Sequence, residues 1–109
     1  MTLDEVAETI ALCGLPVTYY QWPEKQAPPL PYVCYYYPSM QPDTADDTHH
    51  AQIYSLNVEL YTHEKDFSVE SAIETVLLSM GLVFTKEETY LDDEHMYEVL
   101  FLTEVIING

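Results

Sequence analysis

Asp43, Asp46, Asp47, His49 and His50 fall within eight positions and carry side chains of the kind that hold metal ions. A calcium loop, however, needs acids at alternating positions, a central glycine and a closing glutamate, and this stretch has none of that pattern. Adjacent histidines also cannot both reach one tetrahedral site without unusual backbone geometry. The stretch therefore reads as a solvated polar loop with no metal. His95, next to Asp92, Asp93 and Glu94, reads in the same way as part of a hairpin turn. The two cysteines are no better placed for chemistry. Cys13 lies on an apolar helix stripe, where a thiol acts as a small hydrophobe, and Cys34 lies inside a tyrosine-rich strand. Neither has the neighbouring cation or histidine that generates a thiolate nucleophile. With glycine only at 14, 81 and 109 there is no phosphate-cradling loop, and no serine stands in a nucleophile-elbow context. These residues point to no enzyme and no cofactor.

Aromatic excess is more informative. Tyr35, Tyr36 and Tyr37 are consecutive, so at least one must turn away from any single core face. Tyrosine offers a large contact area at low rotamer cost, which suits protein interfaces, although a sheet covered on both sides would also absorb such residues. Tyr35, Tyr36 and Tyr37, with Asp43, Asp46, Asp47, His49 and His50 of the neighbouring loop, form a candidate interface.

The elements that must position these groups are marked by periodicity. Thr2 with Glu5 makes a capping box, and Leu3, Val6, Ala7, Ile10 and Cys13 follow at helical spacing until Gly14 and Pro16 end the helix. Residues 17–22 are predicted as a short strand. Residues 23–31 hold four of the seven prolines and read as a stiff extended connector. A strand over 32–37 stops at Pro38, and residues 39–50 form a protruding acidic loop. Residues 52–62 alternate as a half-buried strand, with Tyr54, Leu56, Val58 and Leu60 on one face. A second helix begins near Asp66 or Ser68 and ends at Met80 before Gly81. Its stripe is Val69, Ile73, Val76, Leu77 and Met80. Strands over 82–90 and 96–107 flank the acidic turn at 91–95. The second of these has apolar residues on both faces, as a central strand or one covered by a neighbouring subunit would. The order α-β-β-β-α-β-β predicts an α+β fold, with two helices on one face of a largely antiparallel sheet, in a single domain over 1–109.

Charge narrows the partners. Nineteen Asp and Glu stand against three lysines and no arginine, a formal net charge of −16, while 48% of residues are hydrophobic. The chain is thus not an acidic disordered tail. Binding nucleic-acid backbones takes clustered Lys and Arg, and Lys25, Lys65 and Lys86 are scattered. An anionic membrane surface is disfavoured for the same reason, and no apolar run is long enough to span a bilayer. The first residues are acidic where a secretory leader would be basic, so an intracellular, soluble protein is expected.

Taken whole, the chain resembles the short tail-completion or tail-terminator proteins of long-tailed bacteriophages and Gram-positive prophages. The residues that carry the resemblance are Gly14-Leu15-Pro16-Val17, Trp22-Pro23 with Pro28 and Pro31-Tyr32, and Leu60-Tyr61-Thr62 with Lys65-Asp66. Met96-Tyr97-Glu98-Val99, running through Glu104-Val105 to Asn108-Gly109, completes it. These are packing and turn motifs rather than chemical signatures, and they carry no catalytic residues. The resemblance implies a structural virion protein that assembles in the host cytoplasm and joins the neck. It would cap the tail tube as a ring, commonly six-fold, and present the docking surface for the head. Its partners would be further copies of itself, the tail tube protein and head–tail connector proteins, with DNA passing through the channel unbound. The runner-up within that family is another connector, an adaptor or stopper.

In such a channel the acidic surplus acquires a use, because carboxylates repel a sliding phosphate backbone. Glu87, Glu88, Asp92, Asp93 and Glu94, or the acids of the 43–47 stretch, are the candidate lumen lining. The rival from another class is an acidic DNA mimic that blocks a nucleic-acid enzyme, which would need a stripe of carboxylates at phosphate spacing. A closed ring in solution favours the neck role; a monomer or dimer with one flat acidic face favours mimicry.

Overall fold

The computed structural model describes residues 1–42 and 51–108. In chain order the elements are α1 (Leu3–Ala11), β1 (Val17–Tyr19), β2 (Tyr32–Tyr36), β3 (Met40–Pro42), β4 (Gln52–Thr62), α2 (Phe67–Ser79), β5 (Phe84–Leu91) and β6 (Met96–Ile107). This is the expected α+β order with one addition: β3 lies within the stretch read as loop.

Each helix starts where its capping chemistry places it. The Thr2 hydroxyl accepts from the Glu5 amide at 3.1 Å while the Glu5 carboxylate accepts from the Thr2 amide at 2.9 Å. At α2 the Asp66 carboxylate accepts from the amides of Ser68 and Val69. The Ser68 hydroxyl and these amides hold Asp66 below the usual carboxylate range. Gly14 and Gly81 follow the two helices at φ of 83° and 74°, the left-handed conformation that only glycine adopts without strain.

The sheet order is β1-β2-β4-β6-β5, with β3 also pairing β4. All pairings are antiparallel except β1 with β2, where Val17 lies beside Val33 and Tyr19 beside Tyr35. Parallel neighbours need a crossover of about a dozen residues, and the proline-rich 20–31 stretch supplies it without a helix. β2 and β3 pair with the same side of β4, so they act as one strand interrupted at Pro38; the Ser55 amide bonds the Ser39 carbonyl in the gap. Pro38 has no amide to give to the ladder, which explains the break.

Register puts one side chain set under the helices. Val33 of β2 pairs with Leu60, Val99 of β6 pairs with Leu60 from the other side, and Phe101 pairs with Val58. These residues, with Leu56, Val105 and Ile107, pack against Val6 and Ile10 of α1 and Ile73, Val76 and Leu77 of α2. Both helices thus cover one face. β6 is central in the sheet, between β4 and β5, the position that its apolar residues suggested. Among the described residues no helix is long and apolar enough to cross a membrane.

Candidate interaction surfaces

The tyrosines are the first group the structure sorts. Alternation sends Tyr35 to the helix-covered side, where it meets Tyr19 edge-on at 5.3 Å, and sends Tyr36 to the other face, where it meets Tyr20 at 5.0 Å. Tyr37 lies against Tyr19, Tyr35 and Tyr54 at 6.0, 6.1 and 5.2 Å. Trp22 folds onto Tyr32, Tyr32 reaches Tyr61, and Tyr90 reaches Tyr97. Every one of the ten tyrosines therefore has an aromatic neighbour within the chain. Most of the surplus aromatic surface is spent on edge-to-face packing around β1 and β2. Tyr35, Tyr36 and Tyr37 are all half-buried, and burial, then Tyr35, Tyr19 and Tyr54, pushes the Tyr37 phenol well above its ordinary value. Its hydroxyl is buried and has no partner among the described residues. The candidate interface residues Asp43, Asp46, Asp47, His49 and His50 lie outside the described residues.

The second group is the sheet face away from the helices. Here Tyr36, Asn57, Glu59, Tyr61, Glu98, Leu100, Leu102, Glu104 and Ile106 alternate with the core-facing set. The 20–27 stretch lies beside Tyr32, Cys34 and Tyr61 and lines a shallow depression of about 300 Å³ with them. Toward β6 and β5 no described element lies over this face. It is polar and acidic with aliphatic residues between. The Asn57 amide donates to the Tyr36 hydroxyl at 3.1 Å, and the Tyr61 hydroxyl donates to the Glu98 carboxylate at 2.9 Å. Burial and then Glu59 push the Cys34 thiol up to about 11, the reverse of what a nucleophile needs.

Glu59 stands beside Glu98 on this face. Burial, then the Glu98 charge, raises its carboxyl above the usual range, and the Tyr61 hydrogen bond offsets only part of that. A carboxyl whose folded-state value exceeds its unfolded value disfavours folding when charged, and that cost disappears as pH falls through the folded value. Glu59→Gln is therefore expected to stabilise the protein at pH 7 by about 0.5–1 kcal/mol. Urea unfolding should show the gain shrinking toward zero below about pH 4, where the unfolded carboxyl also holds its proton.

The third group is an ion-pair cluster on the helix-covered side, at the open flank of α2. Glu70, whose side chain is 3% exposed, pairs with Lys65 at 2.5 Å and Lys86 at 2.9 Å. Lys86 also reaches Glu74 at 2.8 Å, and Lys65 pairs with Glu88. The predicted helix stripe of Val69, Ile73, Val76, Leu77 and Met80 lies in or against the core as expected, but sequence reasoning missed Glu70 beside it. Its signal would have been Lys65, in the turn just before α2, together with Lys86 of β5, which only the folded chain brings near it.

The candidate lumen residues divide among these surfaces. Glu88 shares its face with Val99 and the α2 cluster, and Lys65 neutralises it, while Glu87 pairs with Leu100 on the opposite face. Asp92, Asp93 and Glu94 are exposed together at the β5–β6 hairpin tip. His95 closes that turn at φ 53°, so it serves the backbone there. Among the described residues no three His, Cys, Asp or Glu side chains gather closely enough to hold a metal ion.

No protein-family model matches the chain, and no curated protein sequence is significantly similar to it. Among solved structures, the fold is shared with a chain in the virion of a native gene transfer agent (GTA) particle. The superposition has a TM-score of 0.53 at 20% identity and covers 98% of this chain and 89% of that one. At that identity the likeness shows the fold: two helices on one face of a mostly antiparallel sheet, shared from end to end.

Proposed function

We propose that the chain is a structural, non-catalytic protein of a phage-like virion, acting at the neck, where it caps the tail tube as a ring and presents a surface to the head-side connectors. The observation that carries this is the likeness to the GTA virion chain, which covers 98% of this chain and 89% of that one. The phage tail-completion resemblance of the sequence points to the same kind of particle. On this proposal function lies in surfaces, because a capping subunit must bind like copies beside it and unlike proteins above and below. Asp92, Asp93 and Glu94, grouped at one hairpin tip, are the acids proposed to face the DNA channel.

Removing the gene from a particle-producing strain tests the role by electron microscopy. Heads unjoined to tails, with tubes longer than normal, are expected if the protein stops tube growth and docks the head. Unjoined tails of normal length would replace capping with a connector role. Joined particles of normal length would overturn the neck proposal.

A further inference from the structure

β6 is longer than the strand beside it. β5 begins at Phe84, opposite Thr103, whereas β4 accompanies β6 as far as Ile107. Among the described residues, Glu104 to Ile107 thus have a strand neighbour on one side only. The direction of their backbone groups follows from β4. The Ser55 amide bonds Ser39, away from β6, and Ser55 pairs with Glu104. Opposed residues of an antiparallel pair either face each other or both face away, so Glu104, and Ile106 two residues on, direct their N–H and C=O away from β4. They point into a groove of about 660 Å³ between the Gly81–Phe84 turn and Met1. At the far end the Asn108 amide bonds the Met1 carbonyl, and the amino terminus reaches the Asn108 side chain at 2.6 Å. The opening left is four residues of strand, about 13 Å.

Two further features describe an occupant. On the helix side the groove is lined by Met80, Leu82, Phe84 and Val105, and its rim exposes Val83 (88%) and Ile106 (53%). On the other face the Glu104 carboxylate is exposed. The β5 edge beyond the groove carries three consecutive charges, Lys86, Glu87 and Glu88, the usual protection against stray pairing, whereas among the described residues the opening itself carries only Glu104.

We infer that this groove accepts an extended segment of a different protein, added as a strand against Glu104–Ile107, with a Lys or Arg beside Glu104 and an apolar residue turned toward Leu82 and Val105. Strand alternation sets that pattern whether the segment runs parallel or antiparallel. A second copy of this chain does not supply it. Its three lysines are single, and each is flanked by polar or acidic residues (Glu24 and Gln26, Glu64 and Asp66, Thr85 and Glu87) rather than by the apolar neighbour that the pattern needs. The inference does not rest on the neck proposal.

Amide hydrogen exchange followed by NMR tests it, using an acetylated, amidated five-residue peptide of alternating lysine and valine as the probe. Exchange at Glu104 and Ile106 is expected to slow by about tenfold or more at saturation, because these amides gain partners. The same peptide with proline in place of valine is expected to give no protection. Glu104→Lys, an exposed change, should transfer the preference to a glutamate–valine peptide, and Ile106→Pro, which removes only an outward N–H, should abolish protection in a protein whose remaining spectrum stays folded. Equal protection by the acidic peptide on the unaltered protein, or none by either, would overturn the inference. So would protection that rises with protein concentration alone, which would make a second copy the occupant.

Discussion

Truncating Lys65 and Lys86 together to alanine is expected to destabilise the protein by about 3–5 kcal/mol, because it leaves the Glu70 carboxylate buried with no counter-charge. For a chain of this size that corresponds to a melting temperature lower by roughly 15 °C or more. Replacing Glu70 with leucine in the same background should recover most of the loss, since an apolar side chain has no charge to strand. The pH dependence distinguishes this account from lost contacts of the lysine ammonium groups with the rings of Phe67 and Phe101. In the unaltered protein burial alone would raise the Glu70 value, but the hydrogen bonds and charges of Lys65 and Lys86 outweigh it and hold the carboxyl low. Its contribution is thus fully present above the unfolded value of about 4.3 and is lost as pH falls through the depressed folded value. In the double variant the sign reverses: burial is unopposed, the folded value lies above the unfolded one, and acidification narrows the stability gap. A gap that stays constant from pH 7 to pH 4 in thermal melts would assign the loss to packing instead.

Phe101→Ala is expected to cost about 3–5 kcal/mol, the range for truncating a fully buried aromatic side chain. Phe101 is the largest fully buried side chain, set on the central strand opposite Val58 and edge-on to Phe84 at 5.7 Å. The cavity would open between the sheet and α2, where Lys86 also approaches the ring. Leu102→Ala, one residue along and on the face without helices, is the control, with an expected cost of about 1 kcal/mol, since that side chain is only partly covered. Denaturant midpoints of the two variants compare the faces directly. Similar losses at both positions would mean that the second face is as tightly packed as the first.

Local pattern was enough for much of the fold. The capping box at Thr2, the Asp66 cap and the glycines after each helix are short-range chemistry, so both helices lie within a residue or two of where spacing predicts them. β4 and β6 keep the bounds predicted for them, and over most of their length each buries one face under the helices. β3 was not legible, since Met40-Gln41-Pro42 has little strand character of its own and exists by pairing with Gln52–Tyr54. The parallel pairing of β1 with β2 was equally hidden, because a pairing partner is chosen by the whole sheet.

For the candidate surfaces the division is sharper. Composition announced an acidic chain rich in tyrosine, and consecutive tyrosines had to occupy both faces of a strand. The sequence could not show that those rings would meet one another, or that Glu70, beside the apolar stripe, would be buried between two lysines. Nor could it show the four residues of β6 left without a strand on one side. Periodicity and capping act over a few residues and are written in order along the chain. Most of the ring stacking, the Lys86–Glu70 pairing and the open strand edge depend on different elements of the chain, and only tertiary packing decides which of them meet.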